Sequence, residues 1–163
     1  MSIVDMINYI PHSVVMTVKI PDRFEDGLGY LIHHLLYAFR QGLAREYARV
    51  GIALAPEEMA VLMLLNGQDG LKQSELSEKL AKDKAVITRI LNKLDASGFA
   101  VRHHDPDDRR VVRTYMTAKG RRAYRRLLPI LTEFIRNALH GINQRDFDTT
   151  ARVLRTIITN LKD

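Results

Sequence analysis

ITRILNKLDASGFAVRHHDPDDRRVVRTYMTAKG, residues 87–120, changes its periodicity halfway along. Ile87, Ile90, Leu91 and Leu94 fall at i, i+3, i+4 and i+7, the spacing that puts side chains on one inward face of a helix. Gly98 then supplies a residue that tolerates the left-handed backbone common at helix ends. Beyond it, residues 99–103 and 111–116 are rich in β-branched and aromatic types, with the turn formers Asp105, Pro106 and Asp107 between them. The stretch therefore predicts a helix followed by a hairpin. Upstream, Leu76 and Leu80 mark the buried stripe of a shorter helix, and Asp83 stands where the second helix needs an N-cap. Thr117 is placed to cap the helix after the hairpin.

What the second helix leaves outside is Lys82, Lys84, Ala85, Val86, Thr88, Arg89 and Lys93. A helix of this diameter fits the major groove of DNA, where Arg89 offers two donors to guanine O6 and N7 and Val86 suits a thymine methyl. Thr88 is expected to serve bases or phosphates. The hairpin tip, Asp108, Arg109 and Arg110, puts two guanidiniums on a stiff ribbon, suited to a minor groove whose negative potential attracts arginine. Asp108 is expected to orient one of them through a charge-assisted pair. Lys72, Ser74, Lys82 and Arg113 are candidate phosphate contacts, which position without reading sequence.

Any of these cations alone is equally the solvated face of a helix. The charge distribution separates the two readings. Residues 71–126 carry fifteen basic and seven acidic side chains, whereas residues 1–70 carry five and eight, and the remainder five and four. A charge of +8 on this segment, in a chain whose net charge is +6, is the footprint of a phosphate-contacting surface. The cluster Arg121, Arg122, Arg125 and Arg126 reads first as a solvated face. A chain of 163 residues suffices for one well-packed domain. There is no cysteine, which removes disulfides and thiol switches and agrees with a cytoplasmic location. No apolar run is long enough to span a bilayer, and no secretory signal is expected.

The same stretch resembles the winged helix-turn-helix core of the MarR family of transcriptional regulators. Thr88 and Arg89 match the "TR" of its recognition helix, and Gly98 with Arg102 matches the "GxxxR" at the start of the first wing strand. Asp108, Arg109 and Arg110 match its "DRR" wing, and Thr117 with Gly120 its "LTxxG" exit. Met116 stands where the family usually has Leu. The likeness of helix order extends over residues 26–163. It implies a mainly α fold with a small β-hairpin wing, a winged helix-turn-helix carried between N- and C-terminal dimerisation helices.

The flanks fit that organisation. Leu28, Ile32, Leu35, Phe39, Leu43 and Val50 keep helical spacing ahead of Gly51, and Pro56 opens a shorter helix to Asn66 whose cap position holds the poor capper Ala55. A long helix is predicted over residues 118–140, bent at Pro129. Asn143 caps a last helix whose Phe147, Ala151, Leu154, Ile157, Ile158 and Leu161 form an uncovered stripe. The expected partition is an N-terminal arm over 1–25, a dimerisation helix over 26–55, the DNA-binding lobe over 56–117 and dimerisation helices over 118–163. An isologous homodimer then reads a pseudo-palindromic operator of double-stranded DNA. Residues 13–20, β-branched and flanked by prolines, read as an extended arm or a tail.

The resemblance also implies a small, often aromatic and anionic effector in a cleft beside the dimerisation helices. His33, Tyr37 and Arg40, at i, i+4 and i+7, are candidates to line it with Met59 or Met63; the plain alternative is core packing plus a surface arginine. His33 and His34 diverge on a helix, as do His103 and His104 on a strand, so no metal site or other cofactor is expected. Because some family members sense zinc, His33, His103 and His140 are the residues to inspect. No phosphate loop, nucleophile motif or paired carboxylates point to an enzyme. The rival class is a winged protein-interaction module, which predicts a neutral or apolar recognition face.

Overall fold

The computed structural model describes residues 18–19 and 21–162. Of the arm expected over residues 13–20, only Val18 and Lys19 are among the described residues. The chain forms two compact units, Met1–Arg45 and Glu46–Asp163. In the first, a single 3-10 turn over Phe24–Asp26 precedes helix α1, Leu28–Arg49, which continues into the second unit. Phe24 packs edge-on against Tyr30 at 5.4 Å between ring centroids, and Tyr30 lies 4.1 Å from the His34 ring one turn on. Leu28, Leu31, Ile32, Leu35 and Leu36 of α1 stay exposed.

In the second unit, α2 spans Pro56–Gly67, β1 Leu71–Lys72, α3 Gln73–Leu80, α4 Lys84–Ala96, β2 Ala100–His104, β3 Val112–Met116, α5 Ala118–Ala138 and α6 Gln144–Asn160. The sheet is antiparallel in the order β1-β3-β2, with Leu71 opposite Thr114 and Arg102 opposite the same residue from the other side. Ile87, Ile90, Leu91 and Leu94 are all buried, as their spacing requires, with Met59, Leu62, Leu65, Leu71, Leu76 and Leu127. Each such side chain contributes about 1.5–3 kcal/mol relative to exposure. No described helix is long and apolar enough to cross a membrane.

Several helix ends depart from expectation. Asp83 occupies the N-cap position of α4, but its side chain makes no capping hydrogen bond. Ala55, which has no capping oxygen, is served from within the helix: Glu58 reaches back to accept the Ala55 N–H at 2.8 Å. Glu75 does the same for the Lys72 N–H at 2.6 Å, so both helices use the returning half of a capping box. Thr117 and Asn143 cap as predicted, accepting from the Gly120 and Asp146 N–H groups. Helix α5 runs on through Pro129 to Ala138 rather than to His140, ending before Gly141 at φ +81°. Strand β1 was not predicted. It is two residues long, entered through Gly70 at φ +77°, where a Cβ would meet the Tyr115 ring at 3.0 Å.

Among the described residues, one buried side-chain polar atom is unsatisfied. Tyr47 is fully buried, its hydroxyl has no hydrogen-bond partner, and burial pushes its phenol up to about 12. Removing an unsatisfied buried hydroxyl recovers its desolvation cost. Tyr47→Phe is therefore expected to raise unfolding stability by about 1 kcal/mol in urea titration; a loss of stability would show that the hydroxyl is satisfied in solution.

Candidate nucleic-acid interface

The first two turns of α4 present Lys84, Ala85 and Arg89 to solvent, with Val86 half-buried beside them. Arg89 has no hydrogen-bond or ion-pair partner among the described residues, so its guanidinium is available to a ligand. Thr88 differs from the expectation that it serves bases or phosphates. Its hydroxyl donates to the Lys84 carbonyl at 2.8 Å and accepts from Gln73 Nε2 at 2.7 Å. Lys93 keeps a 72% exposed side chain, its ammonium 3.9 Å from Glu58 of α2. Ser74 is exposed in the first turn of α3, while Lys72 and Lys82 are half-buried.

The connection between α3 and α4 is a tight turn. Ala81 takes the left-handed conformation at φ 48°, Lys82 N–H donates to the Ser77 carbonyl at 3.0 Å, and Ser77 Oγ donates back to the Lys82 carbonyl. At the far end of α4, Arg102 of β2 pairs with Asp95 at 2.9 Å. Thr117 Oγ1 donates to the Gly98 carbonyl at 2.7 Å, and the Gly120 Cα sits against the Phe99 carbonyl. The residues behind the "GxxxR" and "LTxxG" likeness are thus fasteners between helix and wing.

The wing is organised around Asp105. Its carboxylate accepts the Asp107 and Asp108 N–H groups at 2.9 and 3.3 Å and the Arg113 guanidinium. Arg113 also donates to the Gly70 carbonyl at 3.1 Å, tying the wing to β1. Its guanidinium is a brace, a correction to its expected role as a phosphate contact. Asp108 holds Arg110 as predicted, accepting from its backbone N–H at 3.0 Å and from Nε and Nη2 at 3.1 and 3.2 Å. Arg109 is exposed with no partner among the described residues, and its carbonyl lies 2.7 Å from His104 Nδ1. Since a carbonyl only accepts, His104 carries its hydrogen on Nδ1.

These contacts set the wing's response to acid. The Arg113 hydrogen bond, with the backbone N–H donors, holds the Asp105 carboxyl below the usual carboxylate range, and the Arg110 guanidinium does the same for Asp108. Asp105 in turn raises Arg113. A depressed folded-state value means stabilisation that is complete above the ordinary carboxylate pKa of about 4 and lost as pH falls further. Amide exchange in residues 105–113 is expected to quicken below about pH 4 relative to α4. Asp105→Asn should show that fast exchange already at neutral pH.

Of the effector candidates, His33, Tyr37 and Arg40 are exposed on α1, and Met63 is exposed on α2. Met59 is 1% exposed in the core, which corrects its placement in a cleft. A groove of about 470 Å³, lined by Glu46, Arg49, Pro129, Ile130, Glu133, Phe134 and Asn137, contains none of the five. Among the described residues, no three His, Cys, Asp or Glu side chains converge on a point that could hold a metal. Gln73, Asp105 and His104 were missed as site residues, since partners brought together by a turn leave no periodic signal.

The MarR family pattern matches residues 54–112. The HTH-type transcriptional regulator YkoM of Bacillus subtilis is 31% identical over 100 residues, 61% of this chain and 65% of that protein. YfiV of the same organism is 39% identical over 70 residues, 43% of this chain and 44% of its own. The matches thus span less than two thirds of these relatives. A MarR-family regulator from Silicibacter pomeroyi superposes with a TM-score of 0.65 at 26% identity, over 81% of this chain and 88% of its own. Staphylococcus aureus MepR, solved as a DNA complex, gives 0.75 at 18% identity over 85% and 99%, a likeness of fold alone.

Proposed function

Because the chain belongs to the MarR family of winged helix-turn-helix regulators, we propose that it is a sequence-specific double-stranded-DNA-binding transcriptional regulator acting as a homodimer. The observation that carries this reading is the exposed Arg89 on the second turn of α4, its guanidinium without a partner among the described residues, beside a hydrogen-bonded wing that presents Arg109 and Arg110. A protein-interaction module predicts a neutral or apolar face at the same place, and this face is cationic.

Dimerisation is supported by two uncovered apolar faces. Leu28, Leu31, Ile32, Leu35 and Leu36 are exposed on α1, and Phe147 and Ile158 on α6, which buries none of its residues fully. Two-fold symmetry places the recognition helices in successive major grooves about 10 base pairs apart, so the operator is a pseudo-palindrome. Repression by occluding a promoter is the simplest mode of regulation for such a dimer. The groove between Arg49 and Phe134 supports effector control by an amphipathic aromatic acid, in place of the five residues named from sequence. Calorimetry with aromatic carboxylates, with and without DNA, tests that part; unchanged DNA affinity at saturation refutes it for the acid used.

The main test is selection of duplexes from a randomised library, followed by anisotropy at several salt concentrations. A half-site pair about one helical turn apart is expected, with affinity falling steeply as salt rises because neutralised phosphates release counterions. Failure to enrich any sequence, or affinity indifferent to salt, overturns the proposal.

A further inference from the structure

We propose that Gln73, on α3 and outside the recognition helix, is a positioning residue that sets sequence selectivity by locking the first turn of α4. The inference rests on the DNA-binding reading above. Asp83 gives α4 no side-chain cap, so the N-terminal turn that carries Lys84, Ala85 and Val86 and leads into Arg89 has no side-chain fastening at its N-cap. Gln73 supplies one from eleven and fifteen residues away: Nε2 donates to the Lys84 carbonyl at 3.1 Å and to Thr88 Oγ1 at 2.7 Å. Thr88 Oγ1 donates to the same Lys84 carbonyl at 2.8 Å, closing a three-membered knot. The Lys84 carbonyl can only accept, so the amide nitrogen must face it and the orientation of the Gln73 amide is fixed.

The helices are therefore joined at two points. The Ser77–Lys82 turn fixes the end of α3 to the approach to α4, and the Gln73 knot fixes the beginning of α3 to the first turn of α4. Two points set a rotation as well as a distance. Arg89, adjacent to Thr88, needs that rotation to present both donors to one base, and a reading group tolerates displacements of only about 0.5 Å. Gln73 is uncharged, so removing its donors subtracts nothing from attraction to phosphates. Its loss should lower discrimination rather than binding as such.

The test uses the full chain, a duplex selected by the wild-type protein from a randomised library, and a scrambled duplex of equal length and composition. Gln73→Met keeps the length and removes both donors; Gln73→Ala is the second variant should the first fold poorly. The ratio of affinities for selected over scrambled DNA is expected to fall about tenfold, the scale of two uncharged hydrogen bonds. Affinity for scrambled DNA and its salt slope should be unchanged, and the thermal midpoint should fall by only about 5 °C or less. Thr88→Val added to Gln73→Met should lower the ratio no further, because both act through one knot. Retained selectivity in both variants overturns this proposal alone, as does equal weakening on both duplexes, which marks a general structural role. A wild-type protein that selects no sequence overturns the DNA-binding reading with it.

Discussion

Gly120→Ala is expected to destabilise the second unit by at least about 3 kcal/mol, a large share of the total for a domain of this size. The added Cβ would lie 2.0 Å from the Phe99 carbonyl oxygen and 2.8 Å from the Met116 side chain. A methionine can swing aside; a backbone carbonyl that also accepts the Thr117 N–H at 3.1 Å cannot do so without moving the start of β2. The strain then spreads to Thr117, whose hydroxyl bridges the Gly98 carbonyl and the Gly120 N–H. Urea titration reads the loss directly. Gly67→Ala is the control: in α2, with nothing within 4 Å of the new methyl, it should be neutral or stabilising by about 0.5–1 kcal/mol. Equal behaviour of the two variants would refute the close approach.

Replacing Arg89, Arg109 and Arg110 together by Ala is expected to weaken binding to a selected duplex by about a thousandfold or more, each reading contact being worth about 1–3 kcal/mol. None of the three side chains supports the fold: the guanidiniums of Arg89 and Arg109 have no intramolecular partner among the described residues, and that of Arg110 touches only Asp108 of the same tip. The variant should keep its thermal midpoint. Lys93→Ala should cost far less affinity, because its ammonium already lies beside Glu58. A triple variant that still prefers the selected duplex would remove the interface from this face.

Legibility from sequence followed the range of the interactions. The helix face of Ile87, Ile90, Leu91 and Leu94 was readable because period and burial are the same fact seen twice. Thr117 and Asn143 were readable as caps because the atoms they bind lie three residues on. Arg113 was misjudged for the opposite reason: Asp105, eight residues away, becomes its partner only once the hairpin closes and sets His104 opposite Val112. Met59 and Met63 share a helical phase, yet one is core and the other exposed, which depends on what α2 packs against rather than on the spacing. Strand β1, two residues long, has no periodicity to detect.

The terminal helix α6, seventeen residues with an Asn143 cap and no fully buried side chain, has a consequence for abundance. A free-standing helix of that length is marginal in water, so its order is purchased by whatever second surface covers it. Should that surface be another copy, the folded population, and with it occupancy of any paired target, rises faster than linearly with the number of molecules in the cell. A modest change in the chain's own synthesis would then act as a sharp threshold, before any small molecule is involved.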